Sequence, residues 1–178
     1  MPLRTETYTF AEEIERLEQR CQEIAEQAVD LEDGNPRKQE LLAEGQQLDA
    51  QLAGVRWAQT AHEDEVVPTW SDDVSAITLG GLTGGEFGRI EDDLTTSGAD
   101  VGKGATRVHL AEAGTVDAPY LDSSMGERER ISAVAALPLP FLKWAEDRVN
   151  HLTGVGEGNG KSFGDMLQDA QATTSTDE

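Results

Sequence analysis

Between Phe10 and Leu31 the apolar side chains fall at Phe10, Ile14, Leu17, Cys21, Ile24, Ala28 and Leu31, at intervals of 4, 3, 4, 3, 4 and 3 residues. A strand alternates its side chains with a period of two and scatters such a set over both faces, whereas a helix gathers it into one continuous seam. The pattern predicts a helix over this stretch, with Glu12, Glu13, Glu15, Glu18, Glu23 and Glu26 on its other, exposed faces. The first of these acids sit where the helix dipole favours negative charge. The helix ends at "EDGNPRK", where Gly34 suits a C-cap, Asn35 an N-cap and Pro36 the first position of a second helix. The second seam runs Leu41, Gly45, Leu48, Leu52 and Val55, is broadened by Leu42, and stops near Trp57. Seams of similar length joined by so short a turn satisfy each other by folding back, so residues 1–62 are expected to form an antiparallel, coiled-coil-like helical hairpin. Cys21, lying on the seam with no activating His or Lys in the pattern, reads as a small core residue and not as a nucleophile.

Periodicity breaks in "AHEDEVVPTWSDD", with Pro68 and a cluster of acids, and residues 63–73 are read as a linker. Residues 74–154 are expected to make a small, mainly helical domain with at most a short β element. Its first part, "VSAITLGGLTGGEFGRIEDDL", reads as a β-branched stretch, a turn at Gly80 and Gly81, and a helix capped by Thr83 that carries Phe87, Ile90 and Leu94. "ATRVHLAEAGTV" reads as another short helix, and "DAPYLDSS" as a turn centred on Pro119. "LPLP" at 137–140 forces a break between two last helices, the second with Leu142, Ala145, Val149 and Leu152 on one face. The fold class expected is therefore mainly α.

The tail contains "GVGEGNGKSF", which ends like a phosphate-binding loop. That loop needs a glycine five positions before the Gly of Gly-Lys-Ser, so that backbone N–H groups curl around the phosphates. Ahead of Gly160, Lys161 and Ser162 the required position is Val155, and the run follows a helix instead of a strand. Residues 155–162 are read as a flexible linker and the remainder as a tail with one short amphipathic segment, Phe163, Met166, Leu167 and Ala170. This stripe is the expected partner-binding element.

Charge limits the partners. Thirty-five acids against fourteen bases give a formal charge of −21, spread along the whole chain. No basic stripe is available to neutralise phosphates, so neither nucleic acid nor an anionic membrane is expected as a partner. The balance, with only four lysines among the bases, resembles that of proteins from salt-loving archaea, in which molar salt cuts the screening length to about 3 Å. No apolar run approaches a membrane span and "MPLRTETYTF" lacks a hydrophobic signal core, so a cytoplasmic product is expected. The single cysteine excludes an internal disulfide.

His62, His109 and His151 are not at metal spacing with other ligands, and the pairs Asp72–Asp73 and Asp92–Asp93 read as surface charge. The serines show no nucleophile-elbow pattern. The chain is thus expected to be no enzyme and to need no cofactor.

The order "ITLGGLTGGEFGRIEDDL", "HLAEAGTVDAPYLD", "ISAVAALPLPFLKWAEDRVNHLTGV" resembles the tail assembly chaperones of long-tailed viruses, and with the acidic balance it points to a virus or provirus of a haloarchaeon. The matching positions are Leu82, Thr83 and Glu86; Val116, Asp117 and Pro119; Leu137 and Pro138; and Val149 to Leu152, within residues 74–163. The hairpin before residue 60 lies outside the family's usual pattern, and Ala118 is inserted before the proline of its turn. The resemblance implies a protein that coats the tape-measure protein, keeps it soluble and recruits tail-tube subunits. Two other readings remain open: a structural virion protein such as a head–tail connector or tail component, and a halophilic coiled-coil adaptor.

Overall fold

The computed structural model describes residues 4–63, 70, 74–96 and 103–154. Among them are six α-helices and a three-stranded sheet, so the fold is mainly α. The two long helices arise as their pattern requires: α1 spans Phe10–Val29 and α2 spans Pro36–Gln59. Between them Gly34 adopts φ 91°, a left-handed conformation that costs a residue without Cβ nothing. The Asn35 side chain accepts from the Arg37 N–H at 2.9 Å and Pro36 opens the helix. Arg20 pairs with Glu44 at 2.9 Å and Arg56 with Glu18 at 2.6 Å, while Ile24, Ala28 and Leu41 close an apolar cluster with Leu31 and Leu48 at its edge.

The sheet goes beyond the short β element expected. β1 (Thr5–Thr9) pairs antiparallel with β2 (Ala76–Gly80), Tyr8 opposite Ile77, and β2 pairs antiparallel with β3 (Thr115–Asp117). The Thr and Tyr residues of "TETYT" suit a pleated strand, and the Thr7 and Thr78 hydroxyls meet across the pair at 2.8 Å. Thr115–Asp117, expected to end a helix, is instead the third strand. α4 (Lys103–Gly114) stops before it, and the Thr115 hydroxyl donates back to the Ala111 carbonyl at 2.6 Å.

α3 (Gly84–Thr96) starts as the sequence predicts. The Glu86 N–H donates to Thr83 Oγ1 at 3.2 Å and Glu86 Oε2 accepts from the Thr83 N–H at 2.7 Å, a reciprocal cap. α5 (Glu127–Ala135) and α6 (Leu139–Thr153) flank the break at "LPLP". α6 is buried on more than the one face expected: Phe141 and Trp144 join Leu142, Ala145, Val149 and Leu152 inside. It crosses α2 at Gly54, where a Cβ would lie 2.5 Å from the Pro140 carbonyl oxygen, so only a glycine lets the two backbones approach.

A single large core joins both halves of the chain. Phe10, Leu17, Leu52 and Val55 from the expected hairpin seam pack in one cluster with Ile77, Leu79, Val134, Phe141 and Trp144. Among the described residues, Tyr8, Phe10, Trp57, Trp70, Tyr120, Phe141 and Trp144 form one connected aromatic set, with Trp70 touching Phe10, Trp57, Tyr120 and Phe141. Trp70 comes from the stretch read as a linker, yet it is buried. Among the described residues, Ile24, Ala28 and Leu41 form a second, smaller cluster with Leu31 at its edge, and Leu48 packs against both clusters.

Candidate protein-binding surface

The residues expected to make the seam divide by what they touch. Phe10, Leu17, Ile24, Leu41, Leu52 and Val55 are buried, Ile14, Leu31 and Leu48 partly so. Phe163, Met166, Leu167 and Ala170, the expected partner-binding stripe, lie outside the described residues, as do Lys161, Ser162 and the Asp72–Asp73 pair.

What the structure adds is a groove between α3 and α4. It has a volume of about 480 Å³ and is lined by Phe87, Ile90 and Leu94 from α3, by Leu110 and Thr106 from α4, and by Glu91 and Thr95 at the rim. The helical spacing of Phe87, Ile90 and Leu94 puts them on one face of α3. Ile90 and Leu110 reach down into the large core, while Phe87 stays half-exposed above it. Two more apolar side chains stand in solvent on the long helices: Val29 is 80% exposed and Leu42 is 52% exposed.

A second groove, of about 700 Å³, lies among α2, α4 and α6 and is polar, lined by Gln46, Gln47, Arg107, Lys143, Glu146 and Asn150 among others. Its Arg107 and Glu146 are already paired at 2.6 Å. Of the histidines, His109 is half-buried on α4 and His151 is exposed near the end of α6, and the His62 side chain is outside the described set. Asp92 and Asp93 are exposed on α3. The Cys21 thiol is half-buried, and burial followed by the negative charge of Asp49 pushes its pKa up, away from thiolate character.

One buried charge escaped the sequence reading. Glu13, expected on an exposed face, is 6% exposed because it lies three residues beyond Phe10 and one before Ile14, within the arc that α1 presents to α6. Its carboxylate accepts from Trp144 Nε1 at 2.8 Å and from Arg16 Nε and Nη2 at 2.8 and 3.0 Å. Burial by itself would raise its pKa, but the Arg16 and Trp144 hydrogen bonds, with the charges of Arg16 and Arg148, outweigh that and hold it below the usual carboxylate range. Tyr8 packs edge-on against the same indole with ring centres 5.7 Å apart and donates to Glu6, and burial with that carboxylate raises its phenol pKa far above the ordinary value. With its donors in place, Glu13 is a structural tie between α1 and α6, and its Trp144 bond is inaccessible to a substrate.

Comparisons with protein-family models, with curated proteins and with solved structures found no match to this chain. The functional reading therefore rests on the residues themselves.

Proposed function

We propose that this chain is a non-enzymatic protein-binding factor of virus tail assembly, which coats the tape-measure protein and recruits tail-tube subunits in the host cytoplasm. The observation that supports it best is the apolar groove of α3 and α4. Its α3 wall, Phe87, Ile90 and Leu94, falls inside the strand, "LT..E" and helix segment that carries the resemblance to tail assembly chaperones. In this reading α1 and α2 act as an antiparallel, coiled-coil-like arm, and the stripe Phe163, Met166, Leu167 and Ala170 is a tethered peptide that folds as a helix against the partner. The dispersed negative charge keeps such a complex soluble and suits it to a high-salt cytoplasm.

A permanent place in the virion is the second reading, favoured by the exposed Val29 and Leu42, which a fixed neighbour would cover. Co-expression with a tape-measure protein and a tail-tube protein of a long-tailed haloarchaeal virus tests the first. Phe163→Ser with Leu167→Ser should abolish capture of the partner while Lys161→Ala retains it. Capture that survives the double substitution, or nucleotide binding that disappears with Lys161→Ala, would refute the reading.

A further inference from the structure

The groove between α3 and α4 has an occupant of matching chemistry and reach in the chain itself. We propose that it is the resting dock of residues 163–170 of the same molecule, so that the partner-binding peptide is sheltered until a partner displaces it; the inference rests on the reading of that peptide as the partner-binding element.

Two observations fix where the tail begins. The Leu82 N–H donates to Thr153 Oγ1 at 2.9 Å, and Gly81 lies so close to the Leu152 carbonyl that no side chain fits there. The end of α6 is therefore held beside the start of α3, and the tail leaves from Gly154 within a few residues of Thr83. The groove begins at Phe87, one turn into α3, and ends at Leu94, about 17 Å along the helix from Thr83 at 1.5 Å per residue. Eight residues, 155–162, separate Gly154 from Phe163, and a flexible chain of that length would span about 16 Å. The tether thus reaches the groove of its own molecule without being fully extended.

The lengths also agree. Phe163 to Ala170 covers seven helical steps, as does Phe87 to Leu94, so each stripe is about 10 Å long. In a helix Asp165 and Asp169 fall opposite Phe163, Met166, Leu167 and Ala170, which leaves an apolar face for the groove and a charged one for water. Tethering places the peptide at an effective concentration on the order of millimolar, well above what a second copy supplies in dilute solution, so the intramolecular dock prevails. A partner then meets a peptide that is only partly available, and its apparent affinity falls by that fraction.

The test uses the full chain. The methyl resonances of Ile90 and Leu110 should shift when Phe163→Ser and Leu167→Ser are introduced together. Amides of residues 164–170 should exchange about tenfold slower than in an unstructured peptide, a protection that Thr106→Glu on the groove wall removes. Thr95→Glu on the exposed rim should do the same and serves if Thr106→Glu disturbs folding. Exchange at the unstructured rate in the unmodified chain overturns the inference. So does protection that grows with protein concentration, which assigns the groove to a second copy, or methyl shifts that answer to an added partner but not to the double substitution. Partner capture lost with methyl resonances unmoved defeats this inference alone. Methyl shifts with no partner captured defeat the tail-assembly reading alone.

Discussion

Gly45 and Gly54 lie nine residues apart on α2, and replacing each by alanine should change stability in opposite directions. Neither has a positive φ, so alanine suits both backbones and each substitution gains up to about 1 kcal/mol in helix propensity. At Gly45 the new methyl would meet only Ile24 Cγ2, at 3.6 Å, an ordinary contact, and Gly45→Ala should stabilise by about 0.5–1 kcal/mol. At Gly54 it would lie 2.5 Å from the Pro140 carbonyl oxygen and against the Phe141 N–H, both backbone, where no side chain can swing aside. Restoring an ordinary contact of about 3.4 Å requires α2 and α6 to part by nearly 1 Å along a seam that includes Phe141, which is fully buried. Overpacking costs about 1–3 kcal/mol, and the upper end applies where backbone meets backbone, so the net loss should be about 2 kcal/mol. Urea unfolding followed by circular dichroism measures both. A Gly54→Ala chain as stable as the unmodified one would show that α2 does not pack on α6 as described, and the shared core would go with it.

Glu13→Gln and Trp144→Phe should each destabilise by about 1–3 kcal/mol and show coupling of about 1 kcal/mol in a double-mutant cycle, which additive losses would contradict. Because the Glu13 pKa is lowered in the folded state, its contribution is present above the unfolded carboxylate value and lost as pH falls through the folded one; the stability gap between wild type and Glu13→Gln should shrink on acidification, and a gap that widens would reverse the assignment. Leu17→Asp, in the large core, should unfold the whole molecule and release the fluorescence of the tryptophan cluster, whereas Leu48→Asp, half-buried at the edge of both clusters, should cost less. With a formal charge of −21, helix content should fall as salt drops below a few tenths molar and the Debye length grows towards about 10 Å; an unchanged melting temperature across a salt series would defeat the halophile reading.

The long helices and their turn were legible because each signal is local: i, i+3, i+4 spacing and a Gly-Asn-Pro sequence fix α1, α2 and the break between them. β1 and β3 were not, since each is short and its identity depends on a partner distant in sequence; Thr5 meets Gly80 only after α1 and α2 have intervened. Glu13 was misplaced because charge alone assigned it to solvent, although its position between Phe10 and Ile14 carried a trace of its burial. Trp70 was hidden in an acidic, Pro-containing stretch where nothing local signals a core residue. The α3 wall of the groove was visible as Phe87, Ile90 and Leu94, but the α4 wall was read only as another helix. Which faces of two helices confront each other is set by tertiary packing, and no spacing within either helix encodes it.

The central claim is that the chain serves tail assembly and then leaves. Quantitative mass spectrometry of cells carrying the gene, alongside purified particles from the same culture, tests it most directly. The account predicts the chain in the cell extract, co-purifying with the tape-measure protein, and its absence from the particles. A fixed number of copies in every particle, or a cell extract in which it associates with no tail protein, would contradict it.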